Sequence, residues 1–391
     1  MHHHPKGNSR LFGLDLLRSA AISLVLLCHI LLLMRFVWKC AGWSVMAGYF
    51  GVELFFVLSG FLIGGILIGD VEKRGADGGT LLNFWKRRWL RTLPNYVLFL
   101  GINILVAWSV TNRMPQWQNH LWFGQNLTDN RGSFFPEAWS LAVEEWFYLL
   151  APLAVFGVIR LGMSVRSSVL TVAVAGLVGI SAWRMFYVAH ANPGWMTGTR
   201  SVVMLRLDAC MFGVLGAFLR HYHPRAWFEA KGAKCIFGVA CLITAGWMFR
   251  NFRLDESFIA RTHLFTLTSL GVALCLPWLE SLRCPQGALG KAITGLSKWS
   301  YSLYLVNFLI FQWLARETGL GLGEPSTAFI AAMTGLFLSV VASALVYYTF
   351  ELPILRWRDR GRHSKEKAAA PGGTPEAAPN IATANTDVLP G

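Results

Sequence analysis

Ten apolar runs, each close to the length of a bilayer-crossing helix, follow one another between residues 13 and 349. A helix rises about 1.5 Å per residue and needs roughly 20 apolar residues to cross the hydrocarbon core. Windows of about 19 residues place the runs near residues 13–34, 50–69, 92–110, 140–160, 168–189, 202–219, 233–250, 262–279, 299–316 and 326–349. In lipid every backbone N–H and C=O must find its partner within the chain, so such runs become helices. The expected fold is therefore an all-α membrane protein, a bundle of about ten transmembrane helices. Charged residues make up only 14% of the chain, against about 25% in a soluble domain.

Lys and Arg are most concentrated at 73–91, 220–234 and 356–367, the segments that lie inside if the chain starts in the cytoplasm. The positive-inside rule then puts both termini in the cytoplasm. Topology and anionic lipid account for the net charge of +14 without nucleic acid as a partner. The 17 Trp and 27 Phe suit lipid-facing and interfacial positions. The seven Cys have no zinc-type spacing, so they read as small apolar fillers, and no metal site is expected. No segment outside the spans is long enough to fold alone. The organisation expected is a cytoplasmic N-terminus at 1–10, a membrane domain at 11–360 and a disordered cytoplasmic tail at 364–391, rich in Ala and Pro. No cleavable signal peptide is evident, so the first span is retained.

Ionisable residues inside these runs mark the places where chemistry is expected. Arg18 and His29 share the first run. Eleven positions at about 100° each bring both to one helix face, roughly 16 Å apart along the axis. His is the side chain that exchanges a proton most readily near neutral pH. Lys86, Arg87, Arg88 and Arg91 crowd the mouth of the third run. They suit a positive-inside stop, and equally a phosphate clamp, because the guanidinium fork matches phosphate geometry. In the second run, Gly60 and Gly64 form a small face for close helix packing, Ser59 reads as a packing hydroxyl, and Glu53 sits at the outer end. Glu144 and Glu145 are adjacent carboxylates in the fourth run, serving either to hold cationic partners or to orient or protonate a His. Arg206 and Asp208 are two apart, about 200° around a helix, so each needs a partner on another element. Asn307 falls near mid-membrane in the ninth run. On this topology Arg18 and the 86–91 cluster form an inner basic layer. His29, Glu53, Glu144, Glu145, Arg206 and Asp208 form an outer acid–base layer.

Several segments resemble the motifs of the acyltransferase family 3, the multi-pass O-acetylases of bacterial lipopolysaccharide, peptidoglycan and related glycans. They are Leu14-Asp-Leu-Leu-Arg18 with His29 after ten further residues, Phe55-Phe-Val-Leu-Ser-Gly-Phe-Leu-Ile63, and Arg87-Arg-Trp-Leu-Arg91 followed by Pro94 and Tyr96. The others are Trp139-Ser-Leu-Ala-Val-Glu-Glu-Trp-Phe-Tyr148, Ser300-Tyr-Ser-Leu-Tyr304 and Glu351-Leu-Pro353. The resemblance runs from about residue 10 to 360. It implies transfer of an acyl group, acetyl by family habit, from cytoplasmic acetyl-CoA to a hydroxyl of a carbohydrate or lipid-linked glycan, at the bacterial inner membrane. Acetyl-CoA would be a co-substrate, with no permanently bound cofactor.

In that reading Arg87, Arg88 and Arg91 hold phosphates while Arg18 steers the pantetheine arm. His29 is general base or transient acyl carrier, and Glu144, with Glu145, orients it or balances its charge. Glu53, Trp139, Ser140 and Asn307 are the substrate-binding candidates. One departure stands out: the family often has a His where this chain has Asn307, and Asn cannot shuttle a proton. The chain carries no fused extracytoplasmic domain of the kind some members use, so either it acylates its acceptor directly or a separate extracytoplasmic transfer protein takes the group. A multi-pass transporter or flippase is the competing reading, although no internal repeat supports it. Asn126-Leu-Thr128 also fits a glycosylation sequon in an outer loop.

Overall fold

The computed structural model describes residues 11–35, 40–129, 132–319 and 325–368. Its helices are α1 Phe12–Met34, α2 Ala41–Arg74, α3 Gly78–Thr111, α4 Ala138–Arg160, α5 Val165–Ala191 and α6 Leu207–Tyr222. They continue as α7 Pro224–Phe228, α8 Lys231–Asn251, α9 Phe258–Glu280, α10 Ala288–Glu317, α11 Pro325–Val346 and α12 Leu352–Ala368. Among the described residues there is no strand, and eight helices are long and apolar enough to cross a bilayer, α11 and α12 counting as one through the π-turn Tyr347–Glu351. The protein is an all-α integral membrane bundle. The N-terminal segment 1–10 and the tail from 369 onward lie outside the described residues, whereas 364–368, expected to lack structure, continue α12.

Two of the ten predicted spans fall short of that standard. The sixth is broken: a π-turn Trp195–Arg200 and a 3-10 turn Val203–Leu205 precede α6, which has only 16 residues. The ninth lies in α10, 30 residues long but carrying Lys291, Lys298 and a run of buried serines. Side chains satisfy the backbone freed at the break: Arg184 Nη1 donates to Leu205 O at 2.8 Å and Asn126 Nδ2 to Ser201 O at 2.6 Å. Irregular backbone at membrane depth needs such partners. Asn126 is fully buried by this task, so the sequon reading fails.

The second correction concerns the basic cluster. The loop before α3 is only residues 75–77, with Gly75 at φ +83° and Asp77 capping the helix by accepting from Thr80 N at 2.6 Å. Arg87, Arg88 and Arg91 therefore sit about a third of the way along a 34-residue helix.

α2 is the most enclosed spanning helix. It runs antiparallel to α1, with Ser44 Oγ donating to Cys28 O at 2.8 Å. Against α6 the backbones almost touch: a Cβ at Gly60 would lie 1.9 Å from Cys210 O, and one at Gly213 would lie 2.1 Å from Val57 O. The Gly60 and Gly64 face is thus the packing face expected of it, and it brings the broken sixth element to the bundle centre. α1 and α10 run side by side in the same direction, joined through Arg18 with Ser297 and through His29 with Asn307. The end where α1 begins and the α2–α3 turn lies is called proximal, the opposite end distal.

Candidate functional site

Two cavities lie along α1, and Arg18 and His29 are divided between them. The proximal cavity, about 310 Å³, is lined by Arg18, Ser59, Arg88, Arg91 and Glu144 among others. The distal cavity, about 260 Å³, is lined by His29, Glu137, Trp139 and Arg200 among others. Val52 and Tyr304 line both, so the partition between them is one side chain thick.

In the proximal cavity the cations are held by neighbours that set their direction. Ser297 Oγ donates to Asp15 Oδ1 at 2.6 Å and accepts from Arg18 Nη1 at 3.3 Å. Asp15 itself lies 3.7 Å from that guanidinium, one turn back along α1. Arg88 stacks on Tyr148, its Cζ 3.9 Å from the ring centroid, and donates to the phenol oxygen. Tyr148 in turn donates to Glu144 Oε2 at 2.8 Å, and Ser59 completes the cluster by a hydrogen bond to the Tyr148 phenol oxygen. Ser59 thus belongs to the cavity wall, more than the packing hydroxyl the sequence suggested. Arg87 does not line the cavity: one position from Arg88 it is turned about 100° away, and its carbonyl accepts from Arg358 at 3.4 Å.

The distal cavity is organised around His29. Asn307 Nδ2 donates to Leu303 O at 2.6 Å and Tyr304 O at 2.9 Å. Carbonyls only accept, so the amide orientation is settled and Asn307 Oδ1 must accept from His29 Nδ1. His29 is thereby held as the Nδ1–H tautomer, with the lone pair on Nε2. Phe308, edge-on at 5.2 Å between centroids, and Phe311 at 6.0 Å confine the ring. Tyr304 donates to Glu137 O at 3.2 Å and shares a 2.6 Å hydrogen bond with Ser140, tying α10 to the start of α4. Arg200 sits 5.0 Å from the Trp139 ring and 5.6 Å from Trp195. Glu137 is 7% exposed, and burial pushes its carboxyl up to about 8.

These contacts place the remaining site candidates. Glu144 does not orient His29; it is bound in the Arg88–Tyr148 cluster of the other cavity. Glu145, about 100° around α4 from it, faces a separate aromatic groove with Trp89 and Trp122. Glu53 lines neither cavity: it pairs with Arg206 at 2.6 Å, both side chains fully enclosed, and accepts from Ser269 at 3.3 Å. Asn307 partners the histidine. Trp139 lines the distal cavity, whereas Ser140 lines the proximal one. Arg206 and Asp208 do diverge as their spacing requires, Asp208 meeting Arg184 at 2.8 Å.

Residues 11–348 match the family described as acyltransferase domain. The chain belongs to that family. Among curated relatives, the peptidoglycan O-acetyltransferase OatA of Listeria monocytogenes is 28% identical over 330 residues, 76% of this chain and 49% of the relative. O-acetyltransferase OatA of Staphylococcus aureus is 29% identical over 227 residues, 53% of this chain and 34% of the relative. The chain thus spans about half or less of the relatives it matches. No solved structure matches it.

Sequence reasoning about this acyltransferase-family chain passed over Asp15, Glu137 and Arg200. Asp15 and Glu137 stand next to or within quoted motifs, and a carboxylate three residues before Arg18 was a visible ion-pair signal. Arg200 carried none, because its place depends on the break before α6.

Proposed function

We propose that the protein is a membrane O-acyltransferase that moves an acyl group from acyl-CoA in the proximal cavity to a hydroxyl of a cell-envelope glycan in the distal cavity. The acyl group is acetyl, the membrane is the bacterial inner membrane, and the proximal end faces the cytoplasm. The observation that carries the reading is the Asn307-held tautomer of His29, which leaves Nε2 as the free base of a residue lining a cavity divided from an arginine-lined one by Val52 and Tyr304.

The proximal residues suit the donor. Coenzyme A is anionic at its nucleotide end and carries its thioester at the far end of a slender arm. Arg88 and Arg91 supply guanidinium forks for phosphate, and Arg18, braced by Asp15 and Ser297, lines the way inward. The arm reaches the partition and presents the thioester carbonyl beside His29. Nε2 takes the proton of the acceptor hydroxyl, whose oxygen attacks that carbonyl. The tetrahedral intermediate collapses with loss of the coenzyme A thiolate, which takes up the proton. Asn307 cannot accept that proton, so it serves by fixing the ring.

The relatives named as O-acetyltransferases support the acceptor class, a glycan hydroxyl. The test is purified protein in bilayer discs, given labelled acetyl-CoA and fragments of the host's de-O-acetylated wall glycan. Alkali-labile label on the glycan, absent with His29→Ala at equal protein level, is the expected result. Full transfer by His29→Ala, or solute movement without covalent product, would end the proposal in favour of another base or of a carrier.

A further inference from the structure

The distal cavity holds a set of hydrogen-bonding atoms that the chain does not use. Among the described residues, neither Glu137 Oε1 nor Oε2 has a partner, and neither do Gln125 Oε1 and Asn126 Oδ1. All belong to residues lining this one cavity. The rest of each side chain is occupied in ways that fix it. Gln125 Nε2 donates to Ala138 O at 3.3 Å, and Asn126 Nδ2 to Trp139 O at 3.0 Å and to Ser201 O at 2.6 Å. Asn126 has both amide hydrogens spent and keeps only Oδ1, while Gln125 keeps Oε1 and one N–H. The backbone of Glu137 is equally fixed, its carbonyl accepting from Tyr304 and Ser140.

Buried polar atoms without partners cost about 1–3 kcal/mol each. Their concentration in one cavity describes the ligand that relieves them. An apolar chain cannot. An anion would meet Arg200, whose Nε is also unpartnered, but would set its own acceptors against the unpartnered oxygens of Glu137, Gln125 and Asn126. Neighbouring hydroxyl groups, which donate and accept, match the two amide oxygens and a carboxyl in either protonation state. Resting on the acyl-transfer reading above, we infer that Glu137 and Gln125 form the acceptor subsite, binding sugar hydroxyls that flank the one His29 deprotonates. The acceptor is then a saccharide unit with free hydroxyls beside the acylated position, and a simple lipid alcohol is a poor substitute. Glu137 is a binding residue here, and the proton transfer stays with His29.

The experiment varies the acceptor and the donor separately, in membranes holding equal amounts of wild type, Glu137→Gln, Glu137→Ala and Gln125→Ala. The acceptor is de-O-acetylated wall-glycan fragment from the host and the donor is acetyl-CoA. Glu137→Ala is expected to raise the acceptor KM tenfold or more and Gln125→Ala several-fold. Glu137→Gln, which keeps one accepting oxygen, should fall between wild type and Glu137→Ala. The donor KM should stay within twofold throughout. An unchanged acceptor KM in all three variants overturns the inference. So does a parallel rise of both constants, which marks a structural role. The isosteric Glu137→Gln and the separate Gln125→Ala keep the test decisive if Glu137→Ala does not accumulate. Wild type that transfers nothing to the fragments defeats the acyl-transfer reading itself, a different outcome from wild-type transfer that the variants leave untouched.

Discussion

His29, the proposed base, shows how much of a side chain's chemistry is decided by its partner. The imidazole is named by its place in an apolar run, but its usable nitrogen is chosen by Asn307, 278 positions away. Asn307 is itself locked by two carbonyls of its own helix. Removing that amide by Asn307→Ala leaves Nδ1–H without an acceptor, or lets the ring adopt the other tautomer and offer the wrong nitrogen. One orphaned hydrogen bond is worth about 1–3 kcal/mol, or roughly 5- to 150-fold. The expected result is a fall of that size in kcat with little change in acetyl-CoA KM, read from steady-state kinetics in membranes. An acetyl-CoA KM that moves with kcat would instead mean that α10 had shifted. The residue a family member often has at this position can carry a proton. Asn307 cannot, so in this chain the position orients and does not relay.

At the scale of helices, the break before α6 is the element on which the site depends. It lets Arg206 and Arg200 reach the bundle interior, and Glu53, Arg184 and Asn126 hold it there. The fully enclosed Glu53–Arg206 pair is the pin between α2 and this break. Removing one member of such a pair strands the other charge at a cost of about 3–5 kcal/mol. Glu53→Ala is therefore expected to lower the melting temperature in detergent and the amount of protein in the membrane, while the acceptor KM of whatever folds stays near wild type. A raised acceptor KM at normal stability would restore Glu53 to the substrate contacts. The Gly60–Gly213 crossing makes the same point sterically. A side chain at Gly60 meets the Cys210 carbonyl at 1.9 Å, so Gly60→Val must push α6 away. The overpacking cost of about 1–3 kcal/mol should appear as a lower melting temperature together with reduced transfer.

Across the whole molecule, the two cavities meet at Val52 and Tyr304. In the proposed reaction this partition is where the donor arm passes, so enlarging one wall residue should separate binding from transfer. Val52→Trp is expected to abolish glycan acylation while acetyl-CoA still binds, measured by equilibrium binding of labelled coenzyme to protein in bilayer discs. Retained acylation would mean that the two substrates meet by another route. Arg88→Ala and Arg91→Ala act at the opposite end of that path. Each is expected to raise the acetyl-CoA KM about tenfold, the scale of a charge-assisted hydrogen bond of about 1.5–3 kcal/mol, with the acceptor KM unaffected.

Most helices, the lining of cavities along α1 by Arg18 and His29, and the divergence of Arg206 from Asp208 were all readable along the chain. Each rests on a local property: the length of an apolar run, the angle per residue, or the cost of a charge in lipid. The break in the sixth span was not readable, because Val202 to Leu205 are as apolar as a continuous helix and the backbone change is stabilised by residues far away in sequence. Nor was the assignment of carboxylates. Glu53, Glu144 and Glu145 are alike in a hydropathy window, and their separate fates follow from which helix packs against each. A single sequence thus determined a membrane bundle with a basic layer and an imidazole within an apolar helix, since apolar length and charge act within one segment. Which groups share a cavity, which nitrogen of His29 is free, and that Glu137 and not Glu144 lines its cavity were decided only by the tertiary structure. Hydrogen bonds and enclosure join segments that the chain keeps hundreds of residues apart.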